Sequence, residues 1–119
     1  MRRSAVVVGL LLTIPRAFAH HSFAAEFDTN KPVHLAGVIT SVDWVNPHIT
    51  IHLDVKNTAW SIEASSPNAL ARRGLSRSRL NPGLHVAIEG FQSKTMKYRA
   101  TGSKIIFPDG LEIVLDQHQ

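Results

Sequence analysis

The chain has 119 residues and no cysteine, so no disulfide closes any part of it and its stability must come from packing. Aromatic residues are scarce, at 7% with one tyrosine. The longest apolar run, residues 5–14, falls well short of the ~20 residues a helix needs to cross the hydrocarbon core of a bilayer, so no membrane span is expected in the remainder. G-x-S-x-G, H-E-x-x-H, P-loop and dinucleotide glycine patterns are all missing, and the reading leans away from an enzyme. Glu63 and Glu89 fall mid-strand on polar faces, where carboxylates more often serve solubility than acid–base chemistry. There is no internal repeat and no low-complexity tract.

What is present begins with a leader. Arg2 and Arg3 precede the apolar run, and Ala17 and Ala19 occupy the small-residue positions of an A-x-A cleavage site. This is the pattern of a secretory signal peptide over residues 1–19, cut after Ala19, and it implies a periplasmic or secreted protein. Arg16 and the Arg2-Arg3 pair leave twin-arginine export beside the general secretory route. The formal charge of +4 includes these three arginines. Without them ten basic residues face nine acidic ones, a balance that argues against phosphate-driven nucleic-acid binding. Residues 20–119 are of a length for one domain with one core.

The patterning of that domain is mostly β. Residues 33–45 alternate, with His34, Ala36, Val38, Thr40, Val42 and Trp44 on one face, and Gly37 marks a bulge or bend. Residues 49–55 alternate apolar and polar as a second strand, a turn covers residues 56–58, and residues 59–64 form a third strand with Trp60, Ile62 and Ala64 on one face. Ser66-Pro67 starts a short helix that reaches Arg73 and stops at Gly74. Asn81-Pro82-Gly83 is a turn; residues 84–91, 98–107 and 111–115 are extended, the last two joined by a Pro108-Asp109-Gly110 hairpin closure. Three strands, a helix and two or three further strands give an all-β fold with one short helix. The expected form is a small OB-like five-stranded Greek-key barrel, with a small β-sandwich as the alternative.

Single-strand binders of this class stack bases on aromatics over a basic groove, yet the second strand carries no aromatic, and no nucleic-acid partner is expected. Arg72, Arg73, Arg77 and Arg79 read first as a solvated face.

The histidines suggest different chemistry. Cleavage after Ala19 would make His20 the first residue, offering a ring nitrogen and a free amine. Amines of this kind ordinarily titrate at about 8, so a metal displaces the proton readily near neutral pH. Such nitrogens suit copper, nickel or zinc, with copper the most strongly held. His21 adds a second ring. His48 and His52 are four apart, which on a strand separates them by ~13 Å, so one ion cannot take both. His48, next to Asn46-Pro47 at the strand entrance, is the better third ligand. The candidate metal set is therefore His20, His21 and His48, with copper or zinc as the metal and Glu26, Asp28 or Asp43 as carboxylates that could orient an imidazole. The plainer alternative makes His20 and His21 frayed terminal residues, with His52 and His85 ordinary polar-face residues. His34 and His118 have no assigned role.

Together, HHSFAAEFD at residues 20–28, WVNPH at 44–48, SPNALARRG at 66–74 and NPG at 81–83 resemble an uncharacterised family of small exported bacterial proteins, a domain of unknown function. The resemblance covers nearly all of residues 20–119 and implies an exported, compact, β-rich protein without an assigned activity. Similar sequences often carry tryptophan after the helix-ending glycine, where this chain has Leu75. His20, His21 and His48 all fall within these motifs. The expected function is a non-enzymatic exported binding or accessory domain with a transition-metal site. The alternative is a periplasmic protein-interaction module that uses the helix face with Arg72 and Arg73, or an exposed strand edge.

Overall fold

A computed structural model describes residues 23–116. In chain order the elements are β1 (Phe27–Asp43), β2 (Thr50–Val55), β3 (Thr58–Glu63), α1 (Pro67–Arg72), a 3₁₀ turn (Arg77–Arg79), β4 (His85–Ser93), β5 (Arg99–Ile106) and β6 (Glu112–Val114). The strands lie in the order β3-β2-β1-β4-β5-β6, and β3 also pairs with β5. That extra pairing is parallel. It closes β1, β2, β3, β5 and β4 into a ring, with β6 added outside the ring along β5. This is the expected small Greek-key barrel with a helix between its third and fourth strands.

Local chemistry accounts for the elements. Lys56 and Asn57 both have positive φ, 51° and 65°, as a two-residue hairpin turn requires. The β2–β3 ladder therefore starts at Val55↔Thr58 and runs to Thr50↔Glu63. The turn is one residue tighter than residues 56–58. Ser66 Oγ accepts from the Ala69 amide at 3.3 Å, Pro67 opens α1, and Gly74 follows at φ +87°. The helix thus has the cap, start and stop read from its sequence.

β1 is long because it serves two partners. Phe27 to Val38 pair with β4, and Val38 to Asp43 pair with β2. At the changeover, a Cβ on Gly37 would stand 2.3 Å from the Asp54 carbonyl oxygen, so only glycine allows the approach. The bulge itself comes two residues later, between Ile39 and Ser41. The extra residue reverses the in–out phase, and the face expected from strict alternation is split. Leu35 and Ile39 point to the core before the bulge, and Val42 and Trp44 pack on it after; His34, Ala36 and Thr40 are exposed.

Ile51, Leu53, Ile62, Ile88 and Ile105 fill the interior. Leu70 and Leu75 join the same core and are fully buried, so the Leu75 position is a packing position. Trp60 is only partly buried, packed against the core and edge-on to Tyr98 with ring centroids 5.5 Å apart. Among the described residues no helix is long and apolar enough to cross a membrane.

Candidate functional site

His48 lies in the β1–β2 connection, after the cis Asn46-Pro47 bond. The ladder continues past β2, with the Ile49 amide donating to Ser65 O at 3.1 Å and the Ala64 amide to Ile49 O at 2.8 Å. Residues 48 and 50 share a face of this extended chain, and Glu63 sits opposite Thr50. The register thus makes Glu63 the diagonal neighbour of His48. His48 Nε2 stands 3.6 Å from Glu63 Oε1. That separation is within ion-pair range and too long for a hydrogen bond. His48 Nδ1 is buried with no hydrogen-bond partner, although 41% of the side chain remains exposed.

Glu63 itself is 8% exposed, and a buried carboxylate needs a partner. Arg99 supplies it: its guanidinium donates to Glu63 Oε2 at 2.7 Å. The barrel closure sets this contact, because parallel pairing puts Ser61 beside Arg99 and Glu63 beside Thr101. The turn leading to Arg99 is held by Gln92, whose Nε2 donates to the carbonyls of Met96, Lys97 and Arg99.

The start of the described chain packs on the same structure. The Arg99 guanidinium lies 5.9 Å from the Phe27 ring centroid, and Phe23 stacks at a tilt on Phe27 at 5.6 Å. Phe27 is 2% exposed. The Lys94 amide donates to Glu26 O at 2.8 Å and its ammonium to Ala24 O. Phe23, Phe27, Arg99, Glu63 and His48 therefore form one unbroken series of contacts.

A second polar row crosses the wall nearby. His52 Nε2 is 2.8 Å from Asp43 Oδ2, and its Nδ1 is 3.3 Å from Ser61 Oγ. The Ser61 amide donates to Tyr98 O at 3.0 Å, which fixes the strand that carries the row. The row reads as a cross-strand hydrogen-bonded tie.

Of the predicted residues, His48 is in the cluster, and His20 and His21 lie outside the described residues. Asp43 serves His52. Asp28 accepts from the Asn30 amide, and Glu26 is exposed. Among the described residues no three His, Asp or Glu side chains form a group able to hold a metal. Arg73 donates to Val114 O and Asp116 O at 3.1 and 2.9 Å, so one of the two arginines proposed for partner binding ties α1 to β6. Glu63 and Arg99 went unrecognised as site residues in the sequence. Glu63 was within reach, since counting pairs back from a two-residue turn at Lys56-Asn57 brings it opposite Thr50. Arg99 had no such signal.

The ring order and the helix between β3 and β4 define a small closed Greek-key barrel with a histidine–carboxylate–arginine cluster at one edge. Within that class, the chain belongs to the Family of unknown function (DUF6152), whose model matches residues 9–103. No curated protein and no solved structure matches the chain.

Proposed function

We propose that the protein is an exported, non-enzymatic binding or accessory domain that holds a transition-metal ion, copper foremost, between His48 and the histidines His20 and His21 exposed by cleavage after Ala19. The observation that carries this reading is the state of His48. It is part-exposed, and neither ring nitrogen is hydrogen-bonded among the described residues. An imidazole whose Nε2 makes no hydrogen bond and only a 3.6 Å approach to Glu63 is available to a ligand, whereas His52 is tied at both nitrogens.

The path of the chain supports the same reading. Phe27 packs under the Arg99 guanidinium that pairs with Glu63 next to His48, and Phe23 packs on Phe27. His20 is three residues before Phe23, a reach of at most ~10 Å in extended chain. A terminal amine, its own imidazole, a second imidazole and His48 together make a nitrogen-rich set that favours copper over the harder divalent ions.

The test is titration of the processed protein with Cu²⁺ and Zn²⁺. The expected outcome is a Kd in the micromolar range or below, weakened at least tenfold by His48→Ala and by His20→Ala. A chain that keeps residues ahead of His20 has no amine to offer there and binds more weakly. Equal affinity in all these proteins would refute the reading.

A further inference from the structure

Charge is unevenly distributed along the chain. Between Glu63 and Glu89 there is no acidic residue, and residues 64–88 carry four arginines, Arg72, Arg73, Arg77 and Arg79. From residue 20 onward, six basic residues and nine acidic ones lie outside that segment. The segment therefore stands at +4 and the remainder at −3. We infer that the face formed by α1 and the 3₁₀ turn docks an acidic protein segment, whose carboxylates pair with Arg72, Arg77 and Arg79. The inference is independent of the proposed metal site.

The first argument is that the fold does not use these three guanidinium groups as ion-pair partners. Among the described residues Arg99 is the only arginine in an ion pair. Arg72 and Arg77 are exposed, and their side chains make no hydrogen bond, ion pair or ring contact there. Arg79 is exposed and lies 5.5 Å from the Phe107 ring centroid, a contact that supplies no acceptor oxygen. Arg73 differs, since it ties α1 to β6.

The second argument is that the backbone beneath them is fixed. Leu70, Leu75 and Leu80 are buried. The Leu75 amide donates to Leu70 O at 2.9 Å and the Leu80 amide to Arg77 O at 3.0 Å. A surface held in this way loses little freedom when a partner binds. Ser41, Arg77, Ser78 and Asn81 supply polar groups to a groove of about 570 Å³ beside the 3₁₀ turn. Arg72 and Arg79 lie outside its lining, so a ligand that meets all three arginines extends past the groove. That favours an extended chain over a compact molecule.

The third argument is residue type. The six basic residues elsewhere are five lysines and Arg99, and Arg99 already holds a carboxylate. A guanidinium fork matches a carboxylate with two parallel hydrogen bonds, which an ammonium cannot do. An anionic membrane is a poorer fit. Each arginine near such a surface contributes roughly fivefold in binding, so three give on the order of a hundredfold. Firm attachment adds inserted apolar side chains, whereas the leucines of this segment face the core.

The experiment measures binding of a fluorescein-labelled peptide of Glu-Ser repeats by fluorescence anisotropy, at low salt and with EDTA so that no metal takes part. The processed wild-type protein is compared with an Arg72→Gln, Arg77→Gln double variant and with a Lys31→Gln, Lys56→Gln double variant of the same net charge. Lys31 and Lys56 are exposed and lie outside the segment. The arginine change is expected to weaken binding at least about tenfold and the lysine change less than about twofold. Equal loss in the two variants, no loss in the arginine variant, or no binding by wild type overturns the inference. Equal or tighter binding of wild type to phosphatidylglycerol vesicles or to a single-stranded oligonucleotide also overturns it, because the surface would then select phosphate. The urea midpoint of the arginine variant should match wild type, since neither side chain has a contact to lose. If that midpoint falls, an Arg72→Lys, Arg77→Lys variant, which keeps the charge and loses the fork, is read instead. Weaker binding by it supports the inference, and equal binding overturns it.

Discussion

At the scale of single residues, the Arg99–Glu63 pair and His48 play separable parts. Arg99 neutralises a carboxylate that is almost wholly buried, and it lies over Phe27. Its side chain is about a third exposed, so its worth lies between that of an exposed pair and that of a fully buried one. Arg99→Met should lower stability by about 2 kcal/mol, measured by urea unfolding without metal. His48 has no hydrogen bond to lose among the described residues, so His48→Ala should change the same measurement by less than about 1 kcal/mol while weakening metal affinity at least tenfold. A residue kept for packing would show the opposite pattern. Asp54 Oδ1 is also buried without a partner, beside the close β1–β2 approach at Gly37.

At the scale of elements, each strand and the helix answer to a few decisive positions. A Cβ on Gly90 would fall 1.8 Å from the Thr101 carbonyl oxygen, within the β4–β5 pairing that positions the strand carrying Arg99. Gly90→Ala must push β4 and β5 apart and is expected to destabilise by roughly 3 kcal/mol or more, with loss of the cooperative unfolding transition as the extreme outcome. Ser66→Ala removes the α1 cap and should cost only ~1 kcal/mol by the same assay. Lys104 joins β5 to Glu112 of β6 and Glu89 of β4. Its pKa is raised above the ordinary 10.5, first by the hydrogen bond to Glu112 and then by the attraction of Glu112 and Glu89. A raised pKa means the contribution is complete below 10.5 and fades as pH climbs past the folded value. The Lys104 contribution to the β5–β6 tie is therefore complete at neutral pH and is lost only on the alkaline side.

At the scale of the whole molecule, the question is whether metal binding is coupled to the fold. A terminal amine beside two histidines can chelate copper in the unfolded chain as well, and such binding adds nothing to stability. In the proposed site, only the share of affinity contributed by His48 depends on the closed barrel. At a hundredfold excess over Kd, metal bound to the folded state alone stabilises by about 2.7 kcal/mol, a rise in Tm on the order of 10 °C for a domain of this size, and this is an upper bound here. Copper should raise the Tm of wild type and leave that of His48→Ala unchanged, even where the variant still takes up metal. An equal rise in both would show that the ion never engages the barrel.

The parts governed by neighbours along the chain are legible from the residues alone. Ser66, Pro67 and Gly74 fix the helix because capping, φ restriction and left-handed φ are local properties. The β2–β3 hairpin follows from a tight turn and alternating residues, and it already implies that Glu63 and His48 share a face. The rest depends on contacts between distant segments. The bulge after Ile39 reversed the phase of β1, and no pattern of residues marks where an extra residue is absorbed when one strand changes partners. Arg99 reached Glu63 only because β3 and β5, 36 positions apart at these two residues, pair in parallel to close the ring. That pairing depends on the sheet curling back on itself, a property of all five strands together and of no single segment.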